Sequence, residues 1–190
     1  MKIPTIIQEP HKTLRSNAKK VDFSQITSEK LTIILNDMRA AMYDAGDGVA
    51  IAAPQIDVPL QIFMVAGFVF DKRANYHGAH GSPDRIFINP EIIKQSKTTK
   101  KYPGEGCLSV RFTYGTTKRS TAVTVQAQDE TGKEFKMEAT GFLAQIFQHE
   151  IDHLHGILFI DHAHDLKLLE GEERENYEKE LEQIKQVRNK

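Results

Sequence analysis

Residues 147–156, FQHEIDHLHG, carry His149, Glu150 and His153 in an H-E-x-x-H pattern. On a helix, the i and i+4 spacing sets both imidazoles on one face, where they can chelate one divalent cation. Glu150 can reach a metal-bound water rather than the metal itself, the geometry of a general base. Two histidines and a glutamate also fall at this spacing by chance on charged helices. Here they lie within FLAQIFQHEIDHLHGILF, otherwise apolar, and a buried helix does not carry three ionisable groups without partners.

Two histidines leave the site short of a third protein ligand. One metalloprotease pattern needs a third histidine where this chain has Phe159, so that option fails. Another uses a downstream glutamate; Glu173 is available by count, but GEEREN reads as a solvated charge run. The third option is the lone cysteine, Cys107, in EGCLS (105–109). A thiolate suits zinc or ferrous iron beside two imidazoles and leaves a fourth position for water. A free cysteine is otherwise most often a small buried hydrophobe, and spacing alone leaves the choice open.

The elements that must position these residues are readable from periodicity. Residues 28–45 place Leu31, Ile34, Leu35, Met38 and Met42 at helical spacing, with Thr27 or Ser28 as cap and Gly46 and Gly48 as the stop. LQIFMVAGFVF (60–70) and RIFINPEII (85–93) are β-rich, joined by a surface loop, DKRANYHGAHGSPD. AVTVQAQD (122–129) and EFKMEAT (134–140) form a hairpin across DETGK. A second helix runs from about Phe142 to His155. The charged tail from Asp165 reads as a C-terminal helix through Tyr177, Leu181 and Ile184. This order predicts an α+β fold, with mixed or antiparallel β-sheets packed around a central H-E-x-x-H helix and flanked by N- and C-terminal helices.

The chain has 190 residues and a net charge of −1, so one domain is expected, with no overall field to attract DNA or a membrane surface. A metallohydrolase domain over 1–165 is predicted, with 166–190 as a charged helix of the same domain. A single cysteine excludes an intrachain disulfide and fits a reducing compartment. No run of about 18 apolar residues is present. The expectation is a soluble, cytoplasmic, globular protein.

GVAIAAPQ (48–55), EGCLS and QHEIDHLHG together resemble the three motifs of peptide deformylases, in that family's order and with similar separations. INPEI (88–92), the early helix and the hairpin before GFLAQIFQHE extend the likeness over most of residues 3–162. The resemblance implies removal of the formyl group from the N-terminal formylmethionine of newly made proteins, releasing formate. It implies Cys107, His149 and His153 as ligands to one divalent metal, ferrous iron in the cell, with zinc, nickel or cobalt also accepted. Glu150 matches the acid/base for attack by a metal-bound water. Gln55 and the backbone N–H of Leu108 match the donors to the formyl oxygen. Gly48, Val49, Ala50, Glu105, Gly106, Phe142, Gln145 and Ile146 are the implied substrate contacts. Arg119 is the candidate substrate-binding arginine, with Lys118 and Arg111 as rivals. Partners would be N-formylated nascent polypeptides, met at the ribosome exit region.

The chain departs from the family pattern in three places. Ala50 stands where the motif usually has glycine, which would permit unusual φ and close approach. Gln145 occupies a helix face that usually lines an apolar methionine pocket. RFTYGTTKR (111–119) is a long connection after the cysteine motif. Ala50 and Gln145 motivate an alternative, a deformylase-fold hydrolase with altered N-terminal residue preference. His77 and His80, an H-x-x-H pair, read as solvated loop residues.

Overall fold

A computed structural model describes residues 3–22, 24, 29–71 and 82–188. The cap candidates Thr27 and Ser28, and the pair His77 and His80, lie outside the described residues.

Helix α1 (Glu29–Asp44) buries Leu31, Ile34, Leu35, Met38 and Met42, the stripe its spacing anticipates. It ends where Gly46, at φ +86°, donates its N–H back to the Tyr43 carbonyl. Strands β1 (Ala50–Ala52), β2 (Ile62–Val65), β3 (Arg85–Gln95), β6 (Ala122–Gln128) and β7 (Glu134–Thr140) form one antiparallel sheet, in the order β1-β2-β3-β6-β7.

Strand β2 explains why residues 62–65 are apolar without alternation. Ile62 and Met64 join the cluster under α1, while Phe63 and Val65 join a second cluster on the other face. With both faces covered, period-2 geometry no longer produces an alternating pattern. The β-rich run read over 60–70 is strand only to Val65; Gly67–Phe70 is a 3-10 turn. Gly67 sits so tightly there that a Cβ would lie 1.7 Å from the Ser82 carbonyl oxygen.

The second cluster receives helix α2 (Gly141–Leu154), which carries the H-E-x-x-H residues. Phe147 stands edge-on to Phe87, with ring centroids 4.9 Å apart, and Phe87 stacks on Phe63 at 4.4 Å. Such pairs add about 0.5–1.5 kcal/mol each beyond burial. Gln148 fixes the helix's height, since its side-chain amide accepts from Ser120 N–H and donates to Ser120 C=O.

A separate three-stranded antiparallel sheet, ordered β4-β5-β8, consists of β4 (Thr99–Cys107), β5 (Val110–Ser120) and β8 (His164–Leu168). The tail therefore differs from expectation: a strand comes first, and helix α3 (Gly171–Arg188) follows. Leu181 anchors α3 against Gly46, where a Cβ would lie 3.1 Å from the Leu181 carbonyl oxygen. Among the described residues, no helix is long and apolar enough to cross a membrane.

Candidate metal centre and active site

Cys107 ends β4 beside a register irregularity between Gly106 and Cys107, and such irregularities re-aim side chains. Its Sγ lies 3.2 Å from Nε2 of His153. One donor atom each of Cys107, His149 and His153 falls within 4.8 Å of the others. Donors of a tetrahedral zinc site stand roughly 3.3–3.8 Å apart, given bond lengths near 2.0–2.3 Å, so modest closure suffices. Glu173, the rival ligand, instead pairs with Lys167 on the exposed face of α3.

The surroundings orient these donors. His149 Nδ1 is 2.8 Å from Glu105 Oε1, leaving Nε2 for a cation, the carboxylate–histidine support common at metal sites. Glu105 also accepts from Arg119 Nε and Nη2, Thr117 Oγ1 and Gln145 Nε2, at 2.6 to 3.1 Å. Burial works against its charge, but hydrogen bonds from Arg119 and His149 prevail and hold its pKa well below the usual carboxylate range. Arg119 completes the network through Asp152 at 2.9 Å.

Burial also opposes a charged His149, yet hydrogen bonds to Cys107 and Glu105 outweigh it and raise the ring's pKa. Burial and the neighbouring His149 lower the pKa of His153, favouring the neutral ring a ligand requires. The donor set fits a borderline-soft divalent cation.

Glu150 is 4% exposed, and its Oε2 has no hydrogen-bond partner among the described residues. Burial pushes its carboxyl up to about 7, where accepting and returning a proton are both accessible. A cation at the three donors would pull it back toward the carboxylate. Gln55, 2% exposed, has its amide orientation fixed: Oε1 accepts from Ala52 N–H at 2.8 Å. Its Nε2 therefore faces the centre, 3.7 Å from Cys107 Sγ and 3.2 Å from Ser109 Oγ.

A cavity of about 370 Å³ borders Cys107, His149, Glu150 and Gln55, together with Gly48, Val49, Ala50, Glu105, Gly106, Leu108, Phe142, Gln145 and Ile146. His153 lies behind it. Gly48 is required, because a Cβ there would meet the Met42 carbonyl oxygen at 2.2 Å. Ala50 borders the cavity but lacks the unusual φ that glycine would permit. It is not among the residues at positive φ, and it is buried in the apolar cluster beneath α2. Glu105 borders the cavity, but its carboxylate is committed to the protein.

Arg119 does not meet the substrate expectation: its side chain is 4% exposed, pairs with Glu105 and Asp152, and does not border the cavity. Lys118 is exposed and also off the cavity. Of the three basic rivals, Arg111 alone borders it.

Sequence reasoning passed over the N-terminal segment, which ties the catalytic loops together. Ile7 N–H donates to Gln55 C=O and Glu9 N–H to Ser109 C=O, both at 2.9 Å, and Gln8 Nε2 donates to Leu108 C=O. Nothing in IIQEP signals this, because two of the three bonds are made by backbone N–H groups and the third by an ordinary glutamine. Asp47, Tyr114 and Tyr177 also border the cavity unanticipated.

The polypeptide deformylase family model matches residues 3–168. A peptide deformylase of Agrobacterium fabrum is 40% identical over 167 residues, 88% of this chain and 91% of its own. Peptide deformylase 2 of Xanthomonas axonopodis is 37% identical over the same shares. The crystal structure of a Legionella pneumophila peptide deformylase superposes with a TM-score of 0.71 at 36% identity, covering 100% of this chain and 99% of the other. An Acinetobacter baumannii deformylase bound to Met-Ala-Ser gives 0.75 at 31% identity, covering 85% and 98%. With its fold, its motifs and most of its length matched, this chain belongs to the peptide deformylase family.

Proposed function

We propose that this protein is a cytoplasmic, metal-dependent hydrolase that removes the formyl group from the N-terminal formylmethionine of nascent polypeptides, releasing formate. The observation that carries this reading is the convergence of Cys107, His149 and His153 beside a buried Glu150 with an unpartnered oxygen. The relative that holds Met-Ala-Ser, a peptide beginning with methionine, supports the substrate class.

Cys107 Sγ and one ring nitrogen each of His149 and His153 would hold one divalent cation, ferrous iron in the cell, with zinc, nickel or cobalt as substitutes. When bound, the cation supplies a Lewis acid that acidifies water at neutral pH and polarises a carbonyl. Glu150 Oε2 takes the proton of the attacking water and returns it to the departing amine, so formate and a free α-amine result. Gln55 Nε2 and the Leu108 N–H donate to the formyl oxygen as it gains charge. Each such donor is worth about 10²- to 10³-fold in rate. Phe142, Gln145 and Ile146 wall the first side chain, and Arg111 takes the substrate role first given to Arg119. Substrates are met at the ribosome exit region.

The test is formate release from formyl-Met-Ala-Ser by metal-loaded protein, which should vanish in Glu150→Gln while the metal stays bound. Absence of formate from several formylated peptides would end the reading. The alternative of altered first-residue preference keeps one supporting observation. Gln145 borders the cavity with its Nε2 held by Glu105, so the wall carries an amide oxygen. A scan of first side chains in formylated peptides separates the two, since loss of preference for methionine favours the alternative.

A further inference from the structure

Helix α3 lies beyond residues 3–168, the stretch the family model matches, yet it reaches the catalytic cavity. Tyr177 borders that cavity, and its hydroxyl donates to Asp47 Oδ2. Arg111 Nη1 donates to both oxygens of the same carboxylate, at 2.9 and 3.1 Å. Asp47 immediately precedes Gly48 and Val49 on the cavity wall.

The Tyr177 ring stands edge-on to Phe112 and Tyr114, with centroids 6.4 and 6.3 Å apart. Arg174, on the preceding turn of α3, places its guanidinium 4.2 Å from the Phe112 centroid. Phe112 is held at φ +64°, a costly conformation for an aromatic residue. A second cavity of about 290 Å³ shares Leu108 and Arg111 with the first, and Lys185 of α3 borders it. One helix therefore borders both cavities.

We propose that α3 forms one bank of the substrate groove, and that Tyr177, with Asp47 and Arg111, seats the residues following the formylated one. This inference rests on the function proposed above. The formylated residue fills the end walled by Phe142, Gln145 and Ile146, next to His149 and Glu150. A longer chain must leave along the wall that remains, where three rings offer contact area at small entropic cost. The Asp47–Arg111 pair adds an acceptor and donors for peptide groups. Binding gained away from the reacting bond registers in kcat/KM, and increasingly so as the substrate lengthens.

The experiment compares kcat/KM for formyl-Met-Ala-Ser with that for formyl-Met amide, using full-length, metal-loaded protein. The native protein should favour the longer substrate by about fivefold or more, and Tyr177→Ala should bring that ratio close to one, with the loss carried by KM. Tyr177→Phe keeps the ring contacts and removes only the hydroxyl's bonds to Asp47 and Tyr114. It should lower the ratio about twofold, and it decides the matter if the alanine variant fails to fold. A native ratio near one, or equal losses on both substrates in these variants, would overturn the proposal and leave α3 a structural brace. No formate from either substrate would remove the proposed function, and this inference with it.

Discussion

Two arginine–carboxylate pairs border this active site, and they differ in kind. Arg119 and Glu105 are each 4% exposed and share their groups with Thr117, Gln145, His149 and Asp152. Arg111 and Asp47 are 24% and 26% exposed and meet Tyr177 from a mostly solvated helix. The inner pair is saturated, and its one free task is to hold His149 still. The outer pair can exchange protein partners for peptide groups at little cost. On the proposed function, rigidity is concentrated where a cation and a proton would be placed, and adaptability where a variable chain would pass.

The largest expected effect lies within the inner region. Glu150→Gln should lower kcat by about 10²- to 10⁴-fold with metal content unchanged, measured by formate release and elemental analysis on one sample. Next, Glu105→Gln leaves buried Arg119 with Asp152 as its remaining carboxylate and should cost about 1.5–3 kcal/mol in denaturant melts. It should also weaken metal affinity about 10- to 100-fold, because His149 loses the group that orients it.

Acid should find the same weakness. The folded state holds the Glu105 carboxyl below its ordinary 4.5, so as pH falls the unfolded chain takes up this proton first. The group's contribution is complete at neutral pH and fades as pH drops below about 4.5. Melts at stepped pH should show the native protein losing more stability over this range than Glu105→Gln. The smallest effect belongs to the rim: Asp47→Asn should change stability by less than about 1 kcal/mol. If it instead destabilised as Glu105→Gln does, the contrast between the two pairs would fail.

How much of this was legible in the sequence follows from how local each signal is. His149, Glu150 and His153 share two helical turns, and their spacing alone places them together. Cys107 arrives from another sheet, so it needed the ordered motifs rather than any period. Strand β4 escaped notice because its residues are largely exposed and polar, and β8 because its one alternating pair, Leu166 and Leu168, is short and sits at the start of a charge-dense tail.

The choice between Arg111 and Arg119 failed for a definite reason. They lie eight residues apart on β5, which on a regular strand puts them on one face. Gly106 pairs with Tyr114 but Cys107 with Val110, so β5 makes an excursion over 111–113, with Phe112 at φ +64°, and that breaks the regularity. One arginine turns into the protein and the other toward the cavity. Ala50 carried the opposite lesson: a departure from the motif proved conformationally ordinary once its φ and burial were known.

The most direct measurement is metal stoichiometry paired with formate release, made on anaerobically purified native protein and on Cys107→Ser. One equivalent of metal and release of formate are expected from the native protein, with both lost or sharply reduced when the sulfur is replaced. A serine variant that keeps a full equivalent of metal and full activity would contradict the three-ligand centre on which the rest is built.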